Sequence, residues 1–138
     1  MRETVLQGHP GIGPEVTGTA LVAGENFSAR YDLDLVAGRF SRPGHALCGE
    51  SYVGRILVLK AAKGGVATAW MLHAMAARAM APAALLLNFA NPIMAQGAAL
   101  AGLPLIDRFE TDITAVLQTG DRVTVDPPSG RITVARPA

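Results

Sequence analysis

A serine between two glycines is the first feature of this sequence that suggests chemistry. Gly49 and Gly54 bracket Ser51. Glycine lets a backbone turn tightly and leaves a nearby serine hydroxyl exposed, which a serine that acts as a base or a nucleophile requires. The same pattern is typical of an ordinary turn in which the serine hydroxyl bonds to the backbone. Both interpretations stay open at this point.

The residues around Ser51 narrow the choice of chemistry. The Gly-x-Ser-x-Gly pattern of serine hydrolases needs a second glycine at position 53, where this chain has Val53, so a hydrolase is disfavoured. His45 precedes the serine by six residues and is either a hydrogen-bonding partner near Ser51 or a structural capping residue. Glu50 points away from Ser51 if this segment is extended, which favours a solvated carboxylate over a general base.

A second candidate site lies further along the chain, at Lys63-Gly64-Gly65. These residues precede a predicted helix, so their backbone N–H groups and the helix dipole can present positive charge to an anion such as a substrate carboxylate. A glycine-rich helix start without a ligand is the competing interpretation.

Metal chemistry has little support in this sequence. Cys48 is the only cysteine, and iron–sulfur sites usually need several thiolates. We therefore predict that Cys48 is a small buried hydrophobic residue, and that this chain itself binds neither a metal nor a cofactor.

Length and composition limit the class of protein. The 138 residues suit one domain over residues 1–138. A net charge of +1 without a Lys/Arg cluster, and 5% aromatic residues, argue against nucleic-acid binding. The charged share of 17% is below the usual value of about 25%, which is consistent with surface buried against a partner or with an Ala- and Gly-rich core.

Hydropathy and cysteine usage indicate where the protein works. The longest apolar region, residues 65–90, is interrupted by His73, Arg78 and Pro82, so it does not predict a membrane span. The first residues lack the apolar core of a secretory signal, and a lone thiol fits a reducing compartment. We expect a cytoplasmic protein that does not contact membranes.

The elements that position these residues follow from apolar runs and turn residues. Strands are predicted at 16–22, 55–60, 83–88 and 103–106, a half-buried strand or an extended arm at 31–36, and helices at 66–80 and 92–101. A loop rich in Gly, Pro and Ser, residues 38–54, carries the serine, and long structured loops are often functional. The tail, residues 121–126 and 131–134, predicts a hairpin that pairs with the N-terminal strand. Strand, helix, strand, helix, strand indicates a parallel sheet.

The chain resembles the swivelling domain of the aconitase X family. The resemblance covers nearly the whole chain and rests on separated motifs in a fixed order: His45-x-x-x-Gly49-x-Ser51-x-x-Gly54-Arg55, Lys63-Gly64, Trp70, Ala81-Pro82, Asn91-Pro92-Ile93, Gly97-Ala98, Leu103-Pro104-Leu105-Ile106-Asp107 and Thr119-Gly120-Asp121. Family members are single fused chains or pairs of a large and a small subunit, and this chain is similar to the small one.

The resemblance implies a fold and a division of labour. The fold is an α/β domain of three layers, β/β/α, with a parallel sheet covered by two helices and an antiparallel, barrel-like layer built from both termini. Ser51 matches the family's serine, which removes a proton during dehydration, and His45, Gly49, Lys63, Gly64 and Gly65 are the candidate substrate-binding residues. An iron–sulfur cluster or iron is expected in an aconitase-X-type large subunit.

A departure from the family pattern bears on the substrate. Serines usually follow the Lys-Gly pair, whereas here Gly65, Val66 and Ala67 follow it. This resembles the small subunits associated with cis-3-hydroxy-L-proline dehydratase, which form pyrroline-2-carboxylate, more than those of phosphomevalonate dehydratase. We expect a hydro-lyase subunit that is inactive alone. The alternatives are a phosphomevalonate dehydratase small subunit and a non-catalytic assembly domain.

Overall fold

A seven-stranded mixed sheet organises the molecule. The computed structural model describes residues 2–24, 33–34, 37–41, 43–61, 66–90 and 92–136. The strands are β1 (Arg2–Gln7), β2 (Val16–Val22), β3 (Leu33–Asp34), β4 (Arg39–Phe40), β5 (Ile56–Ala61), β6 (Ala84–Phe89), β7 (Leu105–Ile106), β8 (Arg122–Asp126) and β9 (Arg131–Arg136). The helices are α1 (Val66–Ala77), α2 (Pro92–Ala101) and α3 (Ile113–Val116). The sheet order is β1-β9-β8-β2-β5-β6-β7, and β3 and β4 form a separate pair.

Strand β2 joins a parallel half of the sheet to an antiparallel half. Its second half, Ala20–Val22, pairs in parallel with β5, and β6 and β7 continue that parallel half. Its first half, Val16–Thr19, pairs antiparallel with β8, which pairs with β9, and β9 pairs with β1. The predicted pairing of the C-terminal hairpin with the N-terminal strand is therefore confirmed.

The continuous apolar run of β5 is explained by burial on both of its faces. Leu57 and Leu59 face a core that includes Leu72 and Met75 of α1, while Ile56 and Val58 face a second core with the antiparallel strands. Each fully buried aliphatic side chain contributes about 1.5–3 kcal/mol to folding. Helices, parallel strands and antiparallel strands thus form the three predicted layers.

A short N-terminal segment closes the open edge of β7. Ile12 exchanges both backbone hydrogen bonds with Leu105, at 2.9 and 3.0 Å, and Gly11 N–H donates to Pro127 O at 2.7 Å. A Cβ on Gly11 would overlap the carbonyl oxygen of Leu105, so this close approach requires glycine. The closure connects the parallel edge with the hairpin turn.

Most predicted elements lie within a few residues of the observed ones, and the differences are local. Strand β2 and helix α2 have the predicted bounds, whereas α1 ends at Ala77 instead of residue 80. Strand β1 and the four-residue helix α3 were not predicted. Of the predicted strand 31–36, only residues 33–34 are described, and they form β3.

Candidate functional site

The loop that carries Ser51 is partly strand. Strand β4 pairs with β3 on one side, and on the other side Arg39 forms an antiparallel bridge with Ser51. Phe40 N–H donates to Glu50 O at 2.9 Å, and Tyr52 N–H donates to Gly38 O at 3.2 Å. The predicted loop 38–54 therefore adds a third short strand segment beside the β3–β4 pair.

Buried aromatic side chains hold this segment on the core. Phe40 and Tyr52 are fully buried, with their rings edge to face and the centroids 6.1 Å apart. The His45 ring stacks on Phe40 at 4.8 Å, and Leu47 is also buried. Because successive residues of an extended segment point to opposite sides, burial of Tyr52 turns Ser51 towards the surface.

Ser51 is exposed, and its hydroxyl bonds to the nearby backbone. Its Oγ donates to Gly38 O at 3.0 Å and accepts from Val53 N–H at 3.4 Å. These are the contacts of a turn serine. Gly38 has a φ of 70°, and a Cβ there would lie 2.7 Å from Val53 Cγ2, so a side chain at position 38 would displace the turn.

His45 has the contacts of a capping residue. The ring is 4% exposed, and its Nδ1 accepts from Leu47 N–H at 3.1 Å. An Nδ1 that accepts a hydrogen bond carries no proton, so the neutral ring is protonated on Nε2. His45 thereby fixes the turn that leads to Gly49, whose φ of 90° suits glycine.

The sequence predicts the exposure of one neighbour of Ser51, Glu50, correctly and that of another, Cys48, wrongly. Cys48 is exposed, so the prediction that it is buried is wrong. The turn that points Leu47 into the core points Cys48 outward. Glu50 is exposed as expected and forms an ion pair with Arg55 at 3.2 Å, which contributes little in solvent.

The buried residue next to Ser51, Tyr52, has a shifted pKa. Burial, followed by the negative charge of Asp34, raises the pKa of the Tyr52 phenol. The Tyr52 hydroxyl has no hydrogen-bond partner among the described residues. Tyr52 is therefore protonated at neutral pH and does not itself serve as a base.

Arg39 was not identified from the sequence, although it lies directly opposite Ser51. The hydrogen bonds on either side of the bridge make Arg39 and Ser51 a non-hydrogen-bonded pair, the closer type, with Cα atoms about 4.5 Å apart in such pairs. A strand signal at Arg39-Phe40 after the turn glycine Gly38 was the available hint, but two residues are too few to predict a strand.

Three of the predicted site residues come together and three lie outside the described part. His45, Gly49 and Ser51 share the turn that enters β5 at Ile56. Lys63, Gly64 and Gly65 lie outside the described residues. They follow Ala61, the other end of β5, and six strand residues span about 20 Å. The Ser51 turn and Ala61, the last described residue before Lys63, thus lie at opposite ends of β5.

Comparison with known proteins identifies the family. The sequence model of the aconitase X swivel-domain family matches residues 5–134 of this chain. This chain belongs to the aconitase X swivel-domain family. The fold agrees with a crystal structure of Thermococcus kodakaraensis aconitase X in its holo form, with a TM-score of 0.90 and 26% identity over 96% of this chain and 99% of that chain.

Curated relatives of this swivel-domain chain have similar lengths. The phosphomevalonate dehydratase small subunit of Methanocella arvoryzae is 34% identical over 92% of this chain and 96% of the relative. That of Methanopyrus kandleri is 36% identical over 86% of this chain and 87% of the relative. The chain therefore corresponds to these small subunits almost from end to end.

The described residues offer neither a metal-binding cluster nor a membrane-spanning helix. Within the described ranges, no group of three or more His, Cys, Asp or Glu side chains is arranged to hold a metal ion. No helix in the same ranges has the length and hydropathy needed to cross a membrane.

Proposed function

We propose that this chain is the small subunit of a heteromeric hydro-lyase of the aconitase X type, which removes water from a small hydroxy acid. The observation that carries the proposal is the nearly end-to-end correspondence with proteins named dehydratase small subunits, 92% of this chain onto 96% of the relative. A subunit of this size supplies one swivel domain, so the partner is a large subunit that carries the rest of the enzyme.

The proposed partner supplies the metal chemistry. With one cysteine in the sequence, this chain lacks the several thiolates that an iron–sulfur cluster usually needs. We assign a cluster or iron to the large subunit, where it would act as a Lewis acid on the leaving hydroxyl. We also expect the assembled enzyme in the cytoplasm, where a lone exposed thiol stays reduced.

We assign Ser51 the role of base in the shared site. Dehydration breaks a C–H bond and a C–O bond of the substrate. The alkoxide of Ser51 takes the carbon-bound proton, and the electron pair of the C–H bond forms the new double bond. The leaving hydroxyl takes up a proton from an acid of the large subunit or from solvent and departs as water, and Ser51 returns its proton to solvent. Two features support this role: the hydroxyl is exposed, and its backbone is fixed by the buried residues Phe40 and Tyr52. Its hydrogen bond to Gly38 O supports the competing role of a turn serine.

Two observations bear on the identity of the substrate, and each favours a different compound. Gly65, Val66 and Ala67 replace the serines that usually follow Lys-Gly, which leaves fewer hydroxyl donors for a phosphate and favours cis-3-hydroxy-L-proline. The names of the relatives favour phosphomevalonate as the second candidate. Lys63, Gly64 and Gly65, which lie outside the described residues, remain predicted anion-binding residues.

The test is reconstitution with the aconitase-X-type large subunit from the same genome. We expect the mixed subunits to dehydrate cis-3-hydroxy-L-proline, with phosphomevalonate assayed in parallel under identical conditions. Turnover of phosphomevalonate alone would replace the first substrate with the second. If the large subunit alone turns over either compound at the rate of the complex, or the complex with Ser51→Ala keeps the full rate, this chain is an assembly domain.

A further inference from the structure

Among the described residues, Arg39 is the positively charged residue that pairs directly with Ser51, across an antiparallel bridge. Its backbone lies directly opposite Ser51 in the narrow type of antiparallel pair, and both side chains are exposed. Directly opposite residues project from the same face, with Cβ atoms about 4.5–5.5 Å apart. The Ser51 hydroxyl now bonds to Gly38 O and Val53 N–H, and a side chain as long as that of Arg39 is able to reach it after a change of rotamer.

The observed rotamer of Ser51 is that of a neutral hydroxyl. The carbonyl of Gly38 accepts its proton at 3.0 Å, and a carbonyl stabilises the protonated form. An alkoxide at this position needs donors instead. Rotation about χ1 to another staggered position removes Oγ from the Gly38 carbonyl, and an exposed side chain has room to make it.

We propose that the Arg39 guanidinium stabilises the alkoxide of Ser51 and is one of the positive groups, together with those of the large subunit, that let this serine act as a base. The proposal rests on the proposed function, because it assigns a role in the same site. An opposite charge within about 4–6 Å favours the charged form of a group by one to three pKa units. Arg39 thus supplies, from this chain, positive charge that a serine base requires.

The other charges around this pair are few. Asp34 of β3 is the cross-strand neighbour of Arg39 on the side away from Ser51. Glu50 precedes Ser51, and its carboxylate is held by Arg55 at 3.2 Å. Arg39 therefore stands between Asp34 and Ser51, each directly opposite it in the pairing, so its guanidinium can turn to either, and the carboxylate of Glu50 is already paired.

The test compares Arg39→Gln and Arg39→Lys in the reconstituted enzyme, with Arg122→Gln as the control. Arg122 is an exposed strand arginine of β8, and strand β2 lies between it and β5, the strand that follows the Ser51 turn. We expect Arg39→Gln to lower kcat at pH 7 by about tenfold or more, with KM changed by less than about threefold. The acidic limb of the kcat–pH profile should move up by about one unit, and Arg39→Lys should lie between wild type and Arg39→Gln.

A double-mutant cycle shows whether the fall in kcat of Arg39→Gln depends on Ser51. If Arg39 acts on the alkoxide, adding Arg39→Gln to Ser51→Ala should change kcat by less than about twofold, because the group that it stabilises is absent. Thermal midpoints of the isolated variants report folding, and every rate is measured at saturating large subunit.

The outcomes separate this inference from the proposed function. A wild-type kcat and pH profile for Arg39→Gln, together with a slow Ser51→Ala enzyme, would overturn the role of Arg39 and leave the function intact. A weaker affinity for the large subunit with unchanged kcat at saturation would also overturn it, since Arg39 would then be an interface residue. A normal Ser51→Ala enzyme would instead contradict the assignment of the serine.

Discussion

At the scale of single residues, the decisive contrast is between a serine that holds a turn and a serine that reacts. Ser51 has the contacts for the first role, through Gly38 and Val53, and the exposure for the second. The two roles differ in what substitution changes. Loss of a hydrogen bond to the backbone reduces stability, whereas loss of a base reduces turnover.

Ser51→Ala tests the role of this residue directly. If Ser51 is the base, kcat should fall by at least about 10²-fold, with KM changed much less, because the lost interaction belongs to proton abstraction. The complex with the large subunit should survive. A turn serine would instead show near-normal kcat and a free energy of unfolding lower by about 1 kcal/mol. Steady-state kinetics and the thermal midpoint, measured on the same preparations, distinguish the two.

An ion pair between a buried carboxylate and a partly exposed arginine gives the fold a predictable dependence on pH. Asp121 is 3% exposed, and its carboxylate oxygens accept from Arg136 Nε at 2.9 Å and Arg136 Nη2 at 2.7 Å. The hydrogen bonds from Arg136 lower the pKa of Asp121. Its stabilising effect is therefore present above the unfolded pKa of about 3.9 and is lost as pH falls through the lower folded value.

Asp121→Asn should reduce the free energy of unfolding by about 2 kcal/mol at pH 7, because a charged hydrogen-bonded pair is replaced by a neutral one. The difference between wild type and variant should shrink below about pH 4. Urea unfolding at pH 7 and pH 3 measures it. Equal differences at the two pH values would show that the charge of Asp121 does not contribute.

At the scale of elements, the two main helices end in the same way with different residues. Met80 N–H donates to Met75 O after α1, and Leu103 N–H donates to Ala98 O after α2, the 6→1 bond of a Schellman motif. The left-handed residue is Gly102 after α2, with φ 70°, but Ala79 after α1, with φ 55°. A left-handed non-glycine residue costs about 1–2 kcal/mol.

Ala79→Gly should therefore raise the free energy of unfolding by about 0.5–1 kcal/mol, after allowance for the greater freedom of glycine in the unfolded chain. Gly102→Ala is the matched reversal and should lower it by about 1 kcal/mol. Thermal or urea unfolding measures both. A destabilised Ala79→Gly variant would show that the left-handed conformation of Ala79 is not strained.

The sequence predicts the elements whose signals are long and apolar. The run at β5 and the Pro92 start of α2 gave correct elements, since burial on two faces and a fixed proline φ leave clear patterns. Strand β1 was missed because the charged and polar residues of Arg2–Gln7 obscure its alternation. The role of Arg39 was invisible, because a two-residue strand acquires its partner only in the folded chain.

At the scale of the whole molecule, several large apolar side chains are exposed on the helices and at the end of β6. Trp70 on α1 is 67% exposed and Leu100 on α2 is 74% exposed, with Phe89 and Ile93 also exposed. Large apolar side chains at a surface with few charges are typical of surfaces that bind another chain. The exposed apolar side chains and the correspondence to small subunits together favour a protein that functions in a complex with another chain.

The central claim is that catalysis needs both subunits, and a titration tests it most directly. A fixed amount of large subunit is mixed with increasing amounts of this chain, and the initial rate of dehydration of cis-3-hydroxy-L-proline, with phosphomevalonate in parallel, is recorded. We predict no turnover by either subunit alone and a rate that rises linearly and saturates at a fixed subunit ratio. Full turnover by the large subunit alone, unchanged by addition of this chain, would contradict the claim.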